Sequence, residues 1–215
     1  MKIVITGTAR GIGKAIALKF LSLSHEVIGI DINPSTISSP LYKHYQKDIS
    51  KDELEDISDV EILINNAGVQ NSIDDIDVNL KGSIRVTEKY AFQKSIKSVL
   101  FIASASAHNG SEFPEYAASK GGLVSYMKNV ALRLAKYKAT SNSLSPGGVI
   151  NELNFHILNN DDLYEKVLNE TLLSKWASVD EIAEWAYFMT VINKSATAVD
   201  VLIDNGEIAK ANFIW

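Results

Sequence analysis

Short apolar and β-branched runs recur along the chain, separated by stretches in which apolar residues return at helical spacing. The runs are Lys2 to Thr6, Glu26 to Asp31, Tyr42 to Lys47, Glu61 to Asn65, Ser98 to Ala103, Thr140 to Leu144 and Val199 to Asp204. The stretches between them predict helices over Gly11 to Leu23, Ile73 to Ser95, Pro114 to Tyr137 and Val179 to Ile192, with a short acidic one at Lys51 to Ile57. Strand and helix alternate, so the expected fold is α/β, a doubly wound parallel sheet of about seven strands with helices on both faces. Right-handed crossovers place the first strand near its centre. Asn151 to Thr171, rich in Asn and Asp at Asn159 to Asp162, is expected to be a loose segment over a site.

Composition narrows the picture. With 215 residues, 46% of them hydrophobic, the chain suits one buried core, and no linker or repeat divides it, so residues 1–215 are expected to form a single domain. The net charge of -5 is dispersed, without the basic stripe that nucleic acid or an anionic membrane would need, so neither is an expected partner. There is no cysteine, which removes disulfides, thiolate zinc sites and thiol nucleophiles and suits a reducing, cytoplasmic setting. The opening run Ile3-Val4-Ile5 is too short for a signal peptide, and no stretch approaches the ~20 apolar residues of a membrane span.

Two clusters carry candidate chemistry. Thr6-Gly7-Thr8-Ala9-Arg10-Gly11-Ile12-Gly13 joins the first strand to the first helix, where a tight turn presents backbone N–H groups to an anion. Asp31 ends the second strand, where a carboxylate would accept from an adenosine ribose and repel a 2′-phosphate, favouring NAD over NADP. The alternative for Asp31 is a turn-capping aspartate. Arg10 points the other way, because a guanidinium there would pair with a 2′-phosphate. Tyr116 and Lys120 lie four apart on a predicted helix and so share a face, which sets an ammonium beside a phenol and favours phenolate. Ser104 ends the run Leu100-Phe101-Ile102-Ala103, at the strand end that lines the ligand crevice of such sheets.

These motifs, in this order, resemble the short-chain dehydrogenase/reductase family over nearly the whole chain. The resemblance rests on T-G-x-x-x-G-x-G at Thr6 to Gly13, Asn65-Asn66-Ala67-Gly68, Tyr116-x-x-x-Lys120 and Pro146-Gly147. Asp48 with Ile49 resembles the family's adenine-contacting pair, Asn79 its helix-borne catalytic asparagine, and Asp204-Asn205-Gly206 the turn closing its last strand. The resemblance implies a compact Rossmann-type enzyme moving hydride between NAD(H) and a small alcohol or ketone. Tyr116 would be the general acid/base, Ser104 would hold the reacting oxygen with Ser106 in support, and Lys120 would bind the nicotinamide ribose and tune the phenol. Asn79 would hold a relay water. Gly7, Arg10, Gly11, Ile12, Gly13, Asp31, Asp48, Ile49, Asn65, Ala67, Gly68, Pro146, Gly147 and Val149 complete the expected cofactor contacts. The resemblance also implies a homodimer or homotetramer paired through the helices at Ile73 to Ser95 and Pro114 to Tyr137.

The chain departs from the family pattern in places. The intervals from Gly68 to Asn79 and from Asp48 to Asn65 are short, so the adenine end is expected to be more open, and Asn151 stands where threonine is common. Rival functions are a non-catalytic nucleotide sensor of the same fold, an NADPH-dependent 3-oxoacyl thioester reductase and a sugar epimerase-like activity. Retention of Ser104, Tyr116 and Lys120 speaks against the sensor, Asp31 against the thioester reductase, and the short C-terminal region against the epimerase. The four histidines lack metal-ligand spacing, so no metal is expected. His108 and Glu112 lie beside the expected crevice, Asp74, Asp75 and Asp77 read as residues satisfying a helix dipole, and Trp176 and Trp185 read as packing residues.

Overall fold

The computed structural model describes residues 1–111 and 113–210. Among these described residues nine strands run in chain order: β1 (Lys2–Thr6), β2 (Glu26–Asp31), β3 (Tyr42–Gln46), β4 (Ile62–Asn65), β5 (Ser98–Ile102), β6 (Thr140–Pro146), β7 (Val149–Ile150), β8 (Ala177–Ser178) and β9 (Asp200–Ile203). Seven of them form one sheet in the order β3-β2-β1-β4-β5-β6-β9, every neighbouring pair parallel, while β7 and β8 pair separately. The strand order reverses between β1 and β4, which creates a crevice at the carboxyl ends of the strands.

Among the described residues the α-helices are α1 (Gly11–Ser22), α2 (Ser83–Tyr90), α3 (Ser106–Asn109), α4 (Pro114–Leu134), α5 (Phe155–Leu158), α6 (Asp161–Leu168) and α7 (Val179–Tyr187). Because successive strand residues point to opposite faces, Ile3, Ile5, Ile62 and Ile64 pack toward Ile16 and Phe20 of α1 and Ile182 of α7. Val4, Leu63, Val99 and Phe101 pack the other way, onto Val86 of α2 and Leu123, Met127 and Val130 of α4. Burying each such side chain contributes about 1.5–3 kcal/mol relative to exposure. Helix α4 starts at Pro114, whose ring suits a first-turn position, and α7 opens with a reciprocal Ser178–Glu181 capping box.

The structure corrects two sequence expectations. Lys51 to Ile57 makes a single turn and no helix. Its carbonyls are taken by tertiary donors: Arg85 binds Ile49 O and Asp52 O, Tyr90 Oη donates to Glu55 O, and Gln93 Nε2 donates to Ile57 O. The helix expected over Ile73 to Ser95 is a π-helical turn at Ile76–Gly82 followed by α2, which stops at Tyr90 where the chain is stitched to this same loop. Asn151 to Thr171, expected as a loose segment over a site, contains α5 and α6. The polar run read as loose supplies the cap of α6, with Asn160 Oδ1 accepting Leu163 N at 3.1 Å and two aspartates in the first turn.

Candidate active site

A cleft of about 940 Å³ opens at the carboxyl ends of the strands. It is lined by Gly7, Arg10, Gly11 and Ile12 after β1, by Asp31 at the end of β2, and by Asp48 and Ile49 after β3. Ala67 and Gly68 follow β4, Ser104 follows β5, and Pro146, Gly147 and Val149 lie at and beyond the end of β6. Tyr116 and Lys120 reach it from α4. Gly13, Asn65 and Asn79, also singled out in the sequence, do not line it.

The glycine-rich turn is built by close backbone approach. Gly7 has φ +76°, a conformation side chains oppose, and a Cβ there would lie 2.8 Å from Ala67 Cα. Gly13 supports the turn from behind, because a Cβ on it would sit 2.1 Å from Gly7 O. Asn66 ties the turn to β4: its Nδ2 donates to Thr6 O at 3.0 Å and to Gly7 O at 3.1 Å, while Thr6 Oγ1 accepts both Asn66 N and Ala67 N. Helix α1 begins here with no side-chain cap and no acidic residue in its first turn, so its N-terminal N–H groups present an electropositive end to the cleft. That donor set suits the pyrophosphate of a dinucleotide.

Asp31 is buried, and both of its oxygens are in use. Oδ2 accepts Ala9 N at 2.9 Å, and Oδ1 accepts Asn33 N at 2.8 Å and Asn33 Nδ2 at 3.2 Å. It therefore braces the turn as well as facing the cleft. Asp48 Oδ1 accepts Ser50 N at 2.9 Å and Ser50 Oγ at 2.6 Å. Partial burial pushes its carboxyl up, but those bonds and the Lys51 ammonium outweigh burial and hold it below the usual range. Asn65 turns away from the cleft and donates to Thr87 Oγ1 at 3.0 Å. Its neighbour Asn66 lines the cleft instead, as the alternation of strand residues requires.

Lys120 is 5% exposed; its Nζ donates to Ile102 O at 3.0 Å and stands 5.6 Å from the centre of the Tyr116 ring. Burial pushes its ammonium down to about 8, with the Asp75 carboxylate opposing. Ile102 ends β5 two residues before Ser104, whose Oγ donates to Ser106 Oγ at 3.1 Å and accepts Ser106 N at 3.2 Å. Asn79 sits behind this group. Its Oδ1 accepts Val69 N at 2.8 Å, and its Nδ2 donates to Val69 O at 2.9 Å and to Ser119 Oγ at 3.0 Å, beside Lys120 in the chain.

Sequence reasoning passed over much of the remaining lining, including Asn109, Ser111 and Glu207, because helix and loop residues far apart in the chain carry no local signal of a shared wall. Trp176 packs against Gly148 and edge-on to Tyr164, and it also lines the cleft. His108, placed beside the crevice in the sequence, instead bonds Asp200 Oδ2 through Nε2 at 2.6 Å. Glu112 lies outside the described residues. Among the described residues no three His, Asp or Glu side chains gather as a metal site, and no helix is long and apolar enough to cross a membrane.

The family model described as enoyl-(acyl carrier protein) reductase matches residues 51–207, most of the chain. This chain belongs to the short-chain dehydrogenase/reductase family. L-rhamnose 1-dehydrogenase (NADP(+)) of Thermoplasma acidophilum is 27% identical over 239 aligned positions, with 94% of each chain covered. A 3-oxoacyl-[acyl-carrier-protein] reductase of Buchnera aphidicola is likewise 27% identical, again over 94% of each. Among solved structures, 4-hydroxyisoleucine dehydrogenase complexed with NADH superposes with a TM-score of 0.85 at 29% identity, covering 98% of this chain and 99% of that one. A short chain dehydrogenase family protein from Francisella tularensis gives 0.84 at 27% identity, covering 97% and 99%. The chain is accordingly an oxidoreductase of the short-chain dehydrogenase/reductase type, and its relatives use NAD(P).

Proposed function

We propose that this short-chain dehydrogenase/reductase transfers hydride between NAD(H) and a small alcohol or ketone, with Tyr116 as general acid/base. One observation carries the reading: buried Lys120, anchored on Ile102 O, faces the Tyr116 ring in the cleft that Ser104 and the glycine-rich turn also line. Bound there, the nicotinamide supplies or accepts the hydride. The Lys120 charge favours Tyr116 phenolate, so Tyr116 gives the carbonyl oxygen a proton in reduction and takes it back in oxidation. Ser104 Oγ hydrogen-bonds the same oxygen and fixes its place. The N-terminus of α1 holds the pyrophosphate, and Asp48, Ile49, Ala67, Gly68, Pro146, Gly147 and Val149 line the remaining cofactor path. Asn79, bonded to Val69 and Ser119, braces the floor through which a relay water would pass. Segment 151–171 covers the substrate end, where Asn151, Asn154, Ile157 and Asn169 line the cleft. Pairing of copies through α2 and α4 is part of this reading; Leu132 on α4 is 78% exposed.

A second reading, NADP in place of NAD, is favoured by the commitment of both Asp31 oxygens to Ala9 and Asn33 and by the exposed Arg10 beside them. Side-by-side fluorescence titrations with NADH and NADPH decide between them. A panel of small ketones followed by loss of nicotinamide absorbance then tests the activity: cofactor binding with no turnover on any of them would leave only a nucleotide-binding role.

A further inference from the structure

Asp200 opens β9 opposite Ser143 of β6, and its side chain is 7% exposed. Burial disfavours a carboxylate unless donors surround it. Three side chains supply them. Ser143 Oγ donates to Oδ1, Ser145 Oγ donates to Oδ1 at 3.0 Å and to Oδ2 at 2.9 Å, and His108 Nε2 bonds Oδ2 at 2.6 Å. An ionised carboxylate only accepts, so the imidazole presents an N–H from Nε2. Among the described residues, His108 is the basic side chain paired with Asp200. It comes from α3, 92 positions earlier in the chain. Helix α3 starts two residues after Ser104 and continues it as one hydrogen-bonded turn: Ser104 O accepts Ala107 N at 3.0 Å, Ala105 O accepts His108 N at 2.9 Å, and Ser106 O accepts Gly110 N at 3.0 Å. The Ser104 side chain belongs to the same turn, because its Oγ accepts Ser106 N at 3.2 Å.

At its near end the turn is fixed to β6, where Leu144 O accepts Ala103 N at 2.7 Å and Pro146 O accepts Ala105 N at 2.8 Å. Past Ala105 it lies against α4, where a Cβ on Gly121 would stand 3.9 Å from Ala107 O. His108 ties the far end to the sheet, just before Asn109 and Ser111 join the wall of the cleft. Asn109 Oδ1 accepts Ser111 N at 2.9 Å, so that wall moves with the turn. We propose that His108, anchored on Asp200, is a positioning residue that holds α3 and thereby sets the Ser104 hydroxyl where the reacting oxygen binds. The inference deepens the reading of Ser104 given above and rests on it. His108 does not line the cleft, so it acts through the turn and not on substrate. Strand β5 leads into Ser104, while β6 and β9 together hold the other end of the turn that follows it.

The test reads the Ser106 N–H, whose acceptor is Ser104 Oγ, by amide hydrogen exchange NMR on the 15N-labelled full chain, and so needs no substrate. His108→Ala should speed Ser106 exchange by about tenfold, the scale of one lost hydrogen bond to a charged group, with the amides of β1 unchanged. His108→Gln, whose amide nitrogen reaches about as far as the imidazole Nε2, should restore protection. Asp200→Asn keeps an oxygen for the serines, replaces the oxygen facing His108 by an amide nitrogen, and should match His108→Ala; it also serves if that variant does not fold. Unchanged Ser106 exchange in either folded variant overturns the proposal. Kinetics with NADH and the panel of small ketones separate positioning from plain stability. His108→Ala should lower kcat by about ten- to a hundredfold at unchanged KM for NADH, and His108→Gln should recover it. Normal kcat in His108→Ala with fast Ser106 exchange makes the tie structural and overturns the positioning role. If the unmodified chain turns over none of the ketones, the reading of Ser104 in the reaction fails, while Ser106 exchange still decides whether His108 places its hydroxyl.

Discussion

Asp31 Oδ2 accepts the backbone N–H of Ala9 at 2.9 Å, joining the end of β2 to the glycine-rich turn. The turn is held from the other side by Thr36 Oγ1, which donates to Ala9 O at 2.7 Å. Asp31→Ala would leave the buried Ala9 N–H without its acceptor, at a cost of about 1–3 kcal/mol. The expected result is a melting temperature lowered by about 2–12 °C together with weaker binding of both NADH and NADPH. A residue that only selected the ribose would instead trade one cofactor for the other with unchanged stability.

Lys120 is held against its own solvation. Displacement of its ammonium from 10.5 to about 8 is worth about 3 kcal/mol of lost stability at neutral pH. Lys120→Met removes that cost and gives up the bond to Ile102 O, worth about 1 kcal/mol. Urea unfolding should therefore show a variant more stable by about 2 kcal/mol and nearly inactive. A less stable variant would contradict this account.

The sign of the pH dependence follows. In the folded chain Lys120 releases its proton near 8, and in the unfolded chain near 10.5, so between those values the unfolded state binds more protons. The stability cost is full below about 8 and disappears as pH rises through the unfolded value, so the Lys120 contribution rises with pH across that window. Comparing the unmodified chain with Lys120→Met isolates it: their difference in stability should shrink toward alkaline pH. Activity moves oppositely, with kcat/KM falling as pH passes about 8.

Tyr116→Phe removes one oxygen from the cleft and little packing. Turnover should fall by ~10²–10⁴-fold while NADH titrations stay close to those of the unmodified chain. Equal turnover in the two proteins would remove the phenol from the proposed reaction.

Gly13→Ala would place a methyl 2.1 Å from Gly7 O, against backbone that has no room to move. A loss of about 1–3 kcal/mol and failure to bind NADH are expected, although Gly13 does not line the cleft. Intact binding would show that the turn yields.

The sheet was legible in the chain because strand and helix periodicities are local. The alternation around Ile3, Val4 and Ile5 places each side chain on one face or the other whatever lies beyond, and Tyr116 and Lys120 share a helix face by spacing alone. The glycine-rich turn was legible for a similar reason, since few residues tolerate the backbone of Gly7. Three elements were not. Lys51 to Ile57 has a helical pattern, but Arg85 and Tyr90, more than thirty positions away, claim its carbonyls. The run Asn159 to Asp162 has loop composition and serves as a cap because a helix follows. Asp75 and Asp77 read alike, yet one is buried and accepts Ser72 N while the other pairs with Lys81 at the surface.

Sequence alone thus determined the alternation of elements, the family and the candidate residues, all of which depend on neighbours within a few positions. Tertiary structure decided which polar group answers which: Asp31 bracing Ala9, Asn66 rather than Asn65 facing the cleft, and Lys120 buried beside Tyr116 with its ammonium on Ile102 O. Each of those outcomes depends on partners brought together across the sheet, where burial removes water as the competing partner and leaves every polar group to the donors and acceptors that the fold supplies.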